Sequence, residues 1–152
     1  MKKINEKNLI AKAAEAAKIA YAPYSKYHVG AALLTKSGEI FTGCNVENAS
    51  YGAANCAERT AIFKAVSEGH KEFAAMAVVG GPAELICEKK DSKEQRHIQF
   101  SDYAYPCGIC RQVLQEFCDS EFQIIVAKTT EDYKVYALRE LLPFGFGGTV
   151  KD

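Results

Sequence analysis

The sequence predicts an α/β domain in three layers, with one mixed five-stranded sheet covered by helices. Two observations carry that expectation. Strand-length apolar runs alternate with helix-length segments after an opening hairpin pattern. The chain has 152 residues, 48% apolar and 25% charged, which suits one globular domain with a single sizeable core. With no internal repeat, low-complexity tract or interdomain linker, residues 1–152 are expected to form that one domain.

From Ile4 to Tyr21, Leu9, Ile10, Ala13, Ala16, Ala17 and Ala20 fall at helical spacing, and Pro23 should stop the helix. Val29–Thr35 and Ile40–Cys44 are strand-like, and Lys36-Ser37-Gly38-Glu39 between them supplies a turn. After a loop containing Asn45, Asn48 and Gly52, a second helix is expected from about Cys56 to Glu68, ending at Gly69. Ala74–Gly80 reads as a buried strand that Gly81-Pro82 should break. A third helix from about Gly108 to Cys118 and the strand Phe122–Lys128 follow, with a further strand at Tyr133–Ala137. The segment from about Ala83 to Tyr105 carries Glu88, Lys89, Lys90, Asp91, Lys93 and Glu94 with little periodicity. It reads as a solvated loop, with an active-site lid as the alternative.

Nineteen basic side chains balance nineteen acidic ones, so there is no basic excess for polynucleotide phosphates. A small-molecule substrate suits that balance better. No apolar run is long enough to span a membrane, and Asn5, Glu6, Lys7 and Asn8 stand where a signal peptide needs its apolar core. A cytoplasmic protein is therefore expected, and there six cysteines favour free thiols or metal ligands over disulfides.

Two stretches carry chemistry: Cys56-Ala57-Glu58-Arg59 and Pro106-Cys107-Gly108-Ile109-Cys110. Cysteines two residues apart can share one metal, and helix starts favour the thiolate that zinc binds. Three thiolates from Cys56, Cys107 and Cys110 would leave one tetrahedral position open, as in catalytic zinc sites. Glu58 lies close enough to act as a general base and acid beside such a metal. Arg59 could offset the excess negative charge of three thiolates. A redox CxxC pair, or a structural zinc with Cys44, Cys87 or Cys118 as fourth ligand, remains open on spacing alone. Cys44 and Cys118 otherwise look like small core residues, and His28, His70 and His97 show no metal spacing.

Taken together, these stretches resemble the zinc-binding motifs of the cytidine deaminases, of the small three-cysteine type. The resemblance runs from about Tyr21 to Phe146, apart from the segment 83–105. It implies the cytidine deaminase fold, one zinc per subunit, and hydrolytic deamination of cytidine and deoxycytidine in pyrimidine salvage. It also implies a homotetramer with shared active sites. Asn45-Val46-Glu47-Asn48-Ala49-Ser50-Tyr51 resembles the segment whose asparagine and glutamate bind ribose, so Asn45 and Glu47 take that role. Asparagines satisfying local backbone groups are the other reading of the same residues. Ala49 and Tyr51 match positions that complete a neighbouring subunit's pocket, and Phe146 matches an aromatic reaching the base from an adjacent subunit. Phe144 is expected in the core instead. Two features depart from the family. Tyr27 stands where phenylalanine usually packs against the pyrimidine, adding a hydroxyl that needs a partner. The interval from Cys56 to Cys107 is also longer than usual, which makes 83–105 an inserted segment. A related aminohydrolase of the blasticidin deaminase type, and a non-catalytic zinc-binding module, are the rival readings.

Overall fold

The computed structural model describes residues 3–147. Helix α1 (Glu6–Ala17) opens the chain, capped by the Asn5 side chain, which accepts from the Asn8 backbone N–H at 3.1 Å. The helix ends short of the expected Tyr21. The chain turns away because Tyr21 pairs with the loop beyond the hairpin: its N–H donates to the Asn45 carbonyl, and its own carbonyl accepts from the Glu47 N–H. Tertiary pairing thus overrides helical spacing, and the same pairing fixes the loop that carries Asn45 and Glu47.

Strands β1 (Tyr27–Thr35) and β2 (Ile40–Cys44) form the expected hairpin. Helix α2 (Ala57–Ser67) and β3 (Phe73–Pro82) follow, then a small pair of strands, β4 (Cys87–Lys90) and β5 (Arg96–Gln99). The chain continues through α3 (Gly108–Phe117), β6 (Gln123–Ala127), β7 (Tyr133–Ala137) and the short α4 (Leu138–Leu141). The main sheet has the order β2-β1-β3-β6-β7, and only its β3–β6 pair is parallel. It is the mixed five-stranded sheet the sequence predicts.

Alternation along the strands feeds two cores, one per face. Ala31, Leu33, Met76, Val78, Ile124 and Val126 point to the face covered by α2, α3 and α4. Ala32, Ala75, Ala77, Val79, Ile125 and Ala127 point to the face covered by α1. Gly43 on β2 lets α2 sit directly on the sheet: a Cβ there would meet the Ala57 carbonyl oxygen at 2.5 Å and the Ala61 nitrogen at 2.6 Å. That close approach sets the height of the helix start bearing Cys56 and Glu58.

Two expectations about this region of the chain fail. Gly81-Pro82 does not break β3; the strand runs through both residues, with Gly81 opposite His28 and Pro82 opposite Tyr27. Proline is tolerated because it is the terminal residue, beyond the last pairing of β3 with β6 at Val79. Nor is 83–105 a structureless loop. It contains a short 3₁₀ turn and the antiparallel β4–β5 hairpin, closed at its turn by the Asp91 carboxylate. The hairpin surface is charged, which hid its period, but Ile86, Ile98 and the fully buried Phe100 dock it on the α1 face. Phe144 is also not a core residue: it is fully exposed.

Candidate active site

Two helix starts meet at one end of the sheet. Cys56 is the N-cap residue of α2 and Cys107 that of α3, and one turn into α3 lies the buried Cys110. The three sulfurs lie within 4.8 Å of one another, and Cys56 Sγ is 3.6 Å from Cys107 Sγ. Sulfurs bound tetrahedrally to one zinc at the usual bond length stand about 3.8 Å apart. The donor set, its spacing and its position at two helix starts therefore fit zinc. Among the described residues this is the one cluster placed to hold a metal, and neither Cys44, Cys87 nor Cys118 joins it as the fourth thiol of a closed structural site. The histidines stay outside as well: His70 pairs with Glu39 at 3.3 Å and His97 with Asp91 at 2.9 Å.

The thiols do not share one proton affinity. A hydrogen bond from the Cys110 S–H and another from Arg59 pull the Cys56 thiol down, while the same partnership and burial push Cys110 up. Arg59 Nη2 donates to Cys56 Sγ at 3.4 Å, placing its charge where three thiolates would concentrate theirs. Arg59 Nε is buried with no hydrogen-bond partner among the described residues.

Glu58 is 3% exposed, a depth at which carboxylates are rarely found unpaired. Burial pushes its carboxyl up to about 7; the Cys56 thiolate adds to this, against backbone N–H donation and Arg59. Cys110 Sγ faces Glu58 Oε2 at 3.8 Å. A carboxyl whose affinity for protons lies near neutrality, next to a metal-binding cluster, can both take and return a proton.

The cluster opens into a cleft of about 310 Å³ that Glu58, Cys56 and Cys107 help to line. Tyr27, Asn45 and Glu47 line it too, as their sequence pattern implies. Asn45 also serves the local backbone: Oδ1 accepts from the Val29 N–H at 2.9 Å and Nδ2 donates to the Tyr27 carbonyl at 2.8 Å. One amide hydrogen is left over for a ligand. Glu47 Oε1 accepts from the Tyr24 and Ser25 N–H groups, each at 3.0 Å. The Ser25 side chain and these backbone donors hold Glu47 below the usual carboxylate range, so it is an anion facing the cleft. The asparagine-rich loop thus satisfies local backbone groups while Asn45 and Glu47 also line the cleft.

Ala49, Tyr51 and Phe146 lie outside this cleft on the surface, Tyr51 75% and Phe146 76% exposed. Tyr51 lines an adjoining hollow of about 370 Å³ that shares Glu47 and Ala54 with the cleft. Sequence reasoning missed Tyr103, Ala104 and Tyr105, which also line the cleft. Tyr103 is held by the Asp132 carboxylate and by the Lys128 and Lys134 ammonium groups, each 4.5 Å from its ring centre. Tyr105 pairs hydroxyl to hydroxyl with Tyr136 of β7 at 2.9 Å. The available signal was two tyrosines closing a charged segment directly before Pro106-Cys107.

Comparison with known proteins agrees with this geometry. Residues 3–126 match the family model described as the cytidine and deoxycytidylate deaminase zinc-binding region. The chain is 43% identical over 138 residues to a cytidine deaminase of Halalkalibacterium halodurans, covering 91% of each protein. It is 41% identical to a cytidine deaminase of Sporosarcina psychrophila over 138 residues, 91% of this chain and 88% of that one. The crystal structure of a cytidine deaminase from Burkholderia pseudomallei superposes with a TM-score of 0.77 at 41% identity, covering 94% of this chain and 100% of that one.

Proposed function

This chain belongs to the cytidine deaminase family, and from that premise we propose that it hydrolyses cytidine and deoxycytidine to uridine and deoxyuridine, releasing ammonia. The observation that carries the proposal is Glu58: a buried carboxyl lining a cleft of about 310 Å³, beside three cysteines spaced for zinc. Cys56, Cys107 and Cys110 would hold the zinc, which when bound supplies a Lewis acid that makes water nucleophilic near neutral pH.

The chain's own residues do the rest. Glu58 removes one proton from the attacking water and gives it to N3 of the pyrimidine as oxygen adds to C4. Glu58 then takes the second proton of that oxygen and passes it to the amino group. The C4–N bond breaks, ammonia leaves, and Glu58 returns to its starting state with the product keeping a proton on N3. Arg59 holds Cys56 and offsets thiolate charge. Asn45 and Glu47 take the sugar hydroxyls as donor and acceptor, and Tyr27 presents its ring to the base.

The finer reading is a homotetramer in which Ala49, Tyr51 and Phe146 complete the pocket of a neighbouring subunit. Its support is the family resemblance at these positions, together with the surface exposure of Tyr51 and Phe146, which leaves both rings free to meet another chain. A cytoplasmic location is supported by six cysteines that are all free; no described helix is long and apolar enough to cross a membrane. Residues 1–152 are read as one domain, with 83–105 inserted. The deciding experiment incubates zinc-loaded protein with cytidine, deoxycytidine, cytosine and blasticidin S, following ammonia. Release from the two nucleosides and little from free cytosine is expected. Release from blasticidin S alone would move the assignment to the rival aminohydrolase, and zinc binding with no release at all to a non-catalytic module.

A further inference from the structure

Of the three clustered sulfurs, that of Cys107 is the least enclosed. Cys110 is buried and Cys56 half-buried, whereas Cys107, Gly108 and Ile109 are all exposed. Cys107 Sγ meets Cys56 Sγ at 3.6 Å and accepts from the Cys110 N–H at 3.4 Å, contacts of the cluster itself rather than of a shell around it. A Cβ on Gly108 would meet nothing within 4 Å outside its own helix, so nothing packs on the residue after Cys107. Glycine at that position also leaves the backbone free to turn. Packing does not decide where this ligand stands.

Arg111 supplies the missing restraint. One turn beyond Cys107, its backbone N–H donates to the Cys107 carbonyl at 3.0 Å. Its side chain reaches back, and Nε donates to the Pro106 carbonyl at 2.7 Å. Those two carbonyls belong to the peptide groups on either side of the Cys107 Cα. Each peptide group is planar, so holding both holds the φ of −67° and ψ of 167° between them. The direction of the Cα–Cβ bond that carries Sγ follows. The guanidinium is held from its far side in turn: Nη1 donates to the carbonyl of Leu141, the last residue of α4, at 2.6 Å. The fully buried Leu138 seats α4 in the core. The fork thus spans from a point anchored in the core to the peptide before the metal ligand. A guanidinium's rigid, separated donors suit that span, and the single head of an ammonium does not.

We infer that Arg111 is a positioning residue for the metal centre: by bridging Pro106 to α4 it fixes the direction of Cys107, the exposed ligand of the cluster. The inference rests on the zinc half of the proposed function and on no part of the substrate reading. Arg111 differs in kind from Arg59, which donates to a sulfur; both side-chain bonds of Arg111 go to backbone carbonyls. Without that bridge Cys107 samples other directions, and each metal that binds must order it again, which lowers affinity.

The test measures the zinc dissociation constant of the full chain by competition with a colorimetric chelator. Arg111→Met removes both side-chain bonds, and Arg111→Lys keeps the charge but not the fork. Each is expected to weaken zinc binding about ten- to a hundredfold, the usual effect of losing a group that orients a metal ligand. Gln112→Ala is the control, because Gln112 Nε2 donates to the Phe146 carbonyl at 3.0 Å and ties the tail to α3 without touching Pro106. It should bind zinc as the wild type does. Cobalt-loaded Arg111 variants should also show a weaker thiolate-to-cobalt charge-transfer band per bound metal, the signature of a misplaced sulfur. Wild-type affinity in either Arg111 variant, an equal loss in Gln112→Ala, or an unchanged cobalt band would overturn the inference. So would circular dichroism showing both Arg111 variants unfolded, since Arg111 would then be a general support of the fold. A wild-type chain that binds no zinc would overturn the metal reading itself, an outcome distinct from firm wild-type binding with indifferent variants.

Discussion

In the proposed mechanism Glu58 concentrates the proton transfers in one buried carboxyl group. Replacing it with glutamine keeps the volume and removes the proton carrier. Glu58→Gln is expected to retain one zinc per chain, measured by elemental analysis, while ammonia release falls at least about a hundredfold. Loss of both metal and activity would instead make Glu58 a structural partner of the cluster. The cysteines behave oppositely: Cys107→Ser should lose zinc and activity together, and a chelator should silence the wild-type protein until zinc is restored. These proposed roles were suggested by the sequence because Cys107 and Cys110 stand at metal spacing and Glu58 lies two residues from Cys56, two short stretches that the family resemblance joins across the gap between them. Tyr103 and Tyr105 were not legible in that way. Their place in the cleft is set by contacts with Asp132 and Tyr136, residues that lie far along the chain on or beside β7.

At the scale of elements, the sheet and its helices followed from periodicity, since each strand alternates between two apolar faces. Where periodicity failed, a longer-range contact had replaced it. Helix α1 gives up its last turn to the Tyr21–Asn45 pairing, and the β4–β5 hairpin stands behind a charged surface with few apolar anchors. Phe100 is the largest of those anchors. Phe100→Ala should cost about 3–5 kcal/mol in a urea melt, the usual cost of emptying a buried phenylalanine site. A change below about 1 kcal/mol would show that the hairpin is held by its surface ion pairs instead. The seat of α2 is tested at Gly43. An alanine there must push against the Ala57 carbonyl and should cost about 1–3 kcal/mol. It should lower activity too, because the displaced turn carries Cys56 and Glu58.

The whole molecule presents a cleft lined by residues of β1, of the Asn45–Glu47 loop and of the end of the 83–105 segment. Native mass spectrometry should find four chains together, and Phe146→Ala should raise KM without changing zinc content if a neighbour's aromatic completes the pocket. A monomer with full activity would remove that part of the reading. The tetramer came from the family resemblance alone, because periodicity and motif spacing within one chain carry no record of its partners; Tyr51 and Phe146 are exposed rings that a partner would cover in that reading. The placement of the cluster has one more consequence. Cys56 and Cys107 are 51 positions apart in the chain, yet their sulfurs lie 3.6 Å from each other. A metal held between them would tie off a long loop, leaving the unfolded chain less entropy to lose on folding. Zinc is therefore expected to support the fold as well as the chemistry, so that protein stripped of metal should be cut sooner in a timed protease digest.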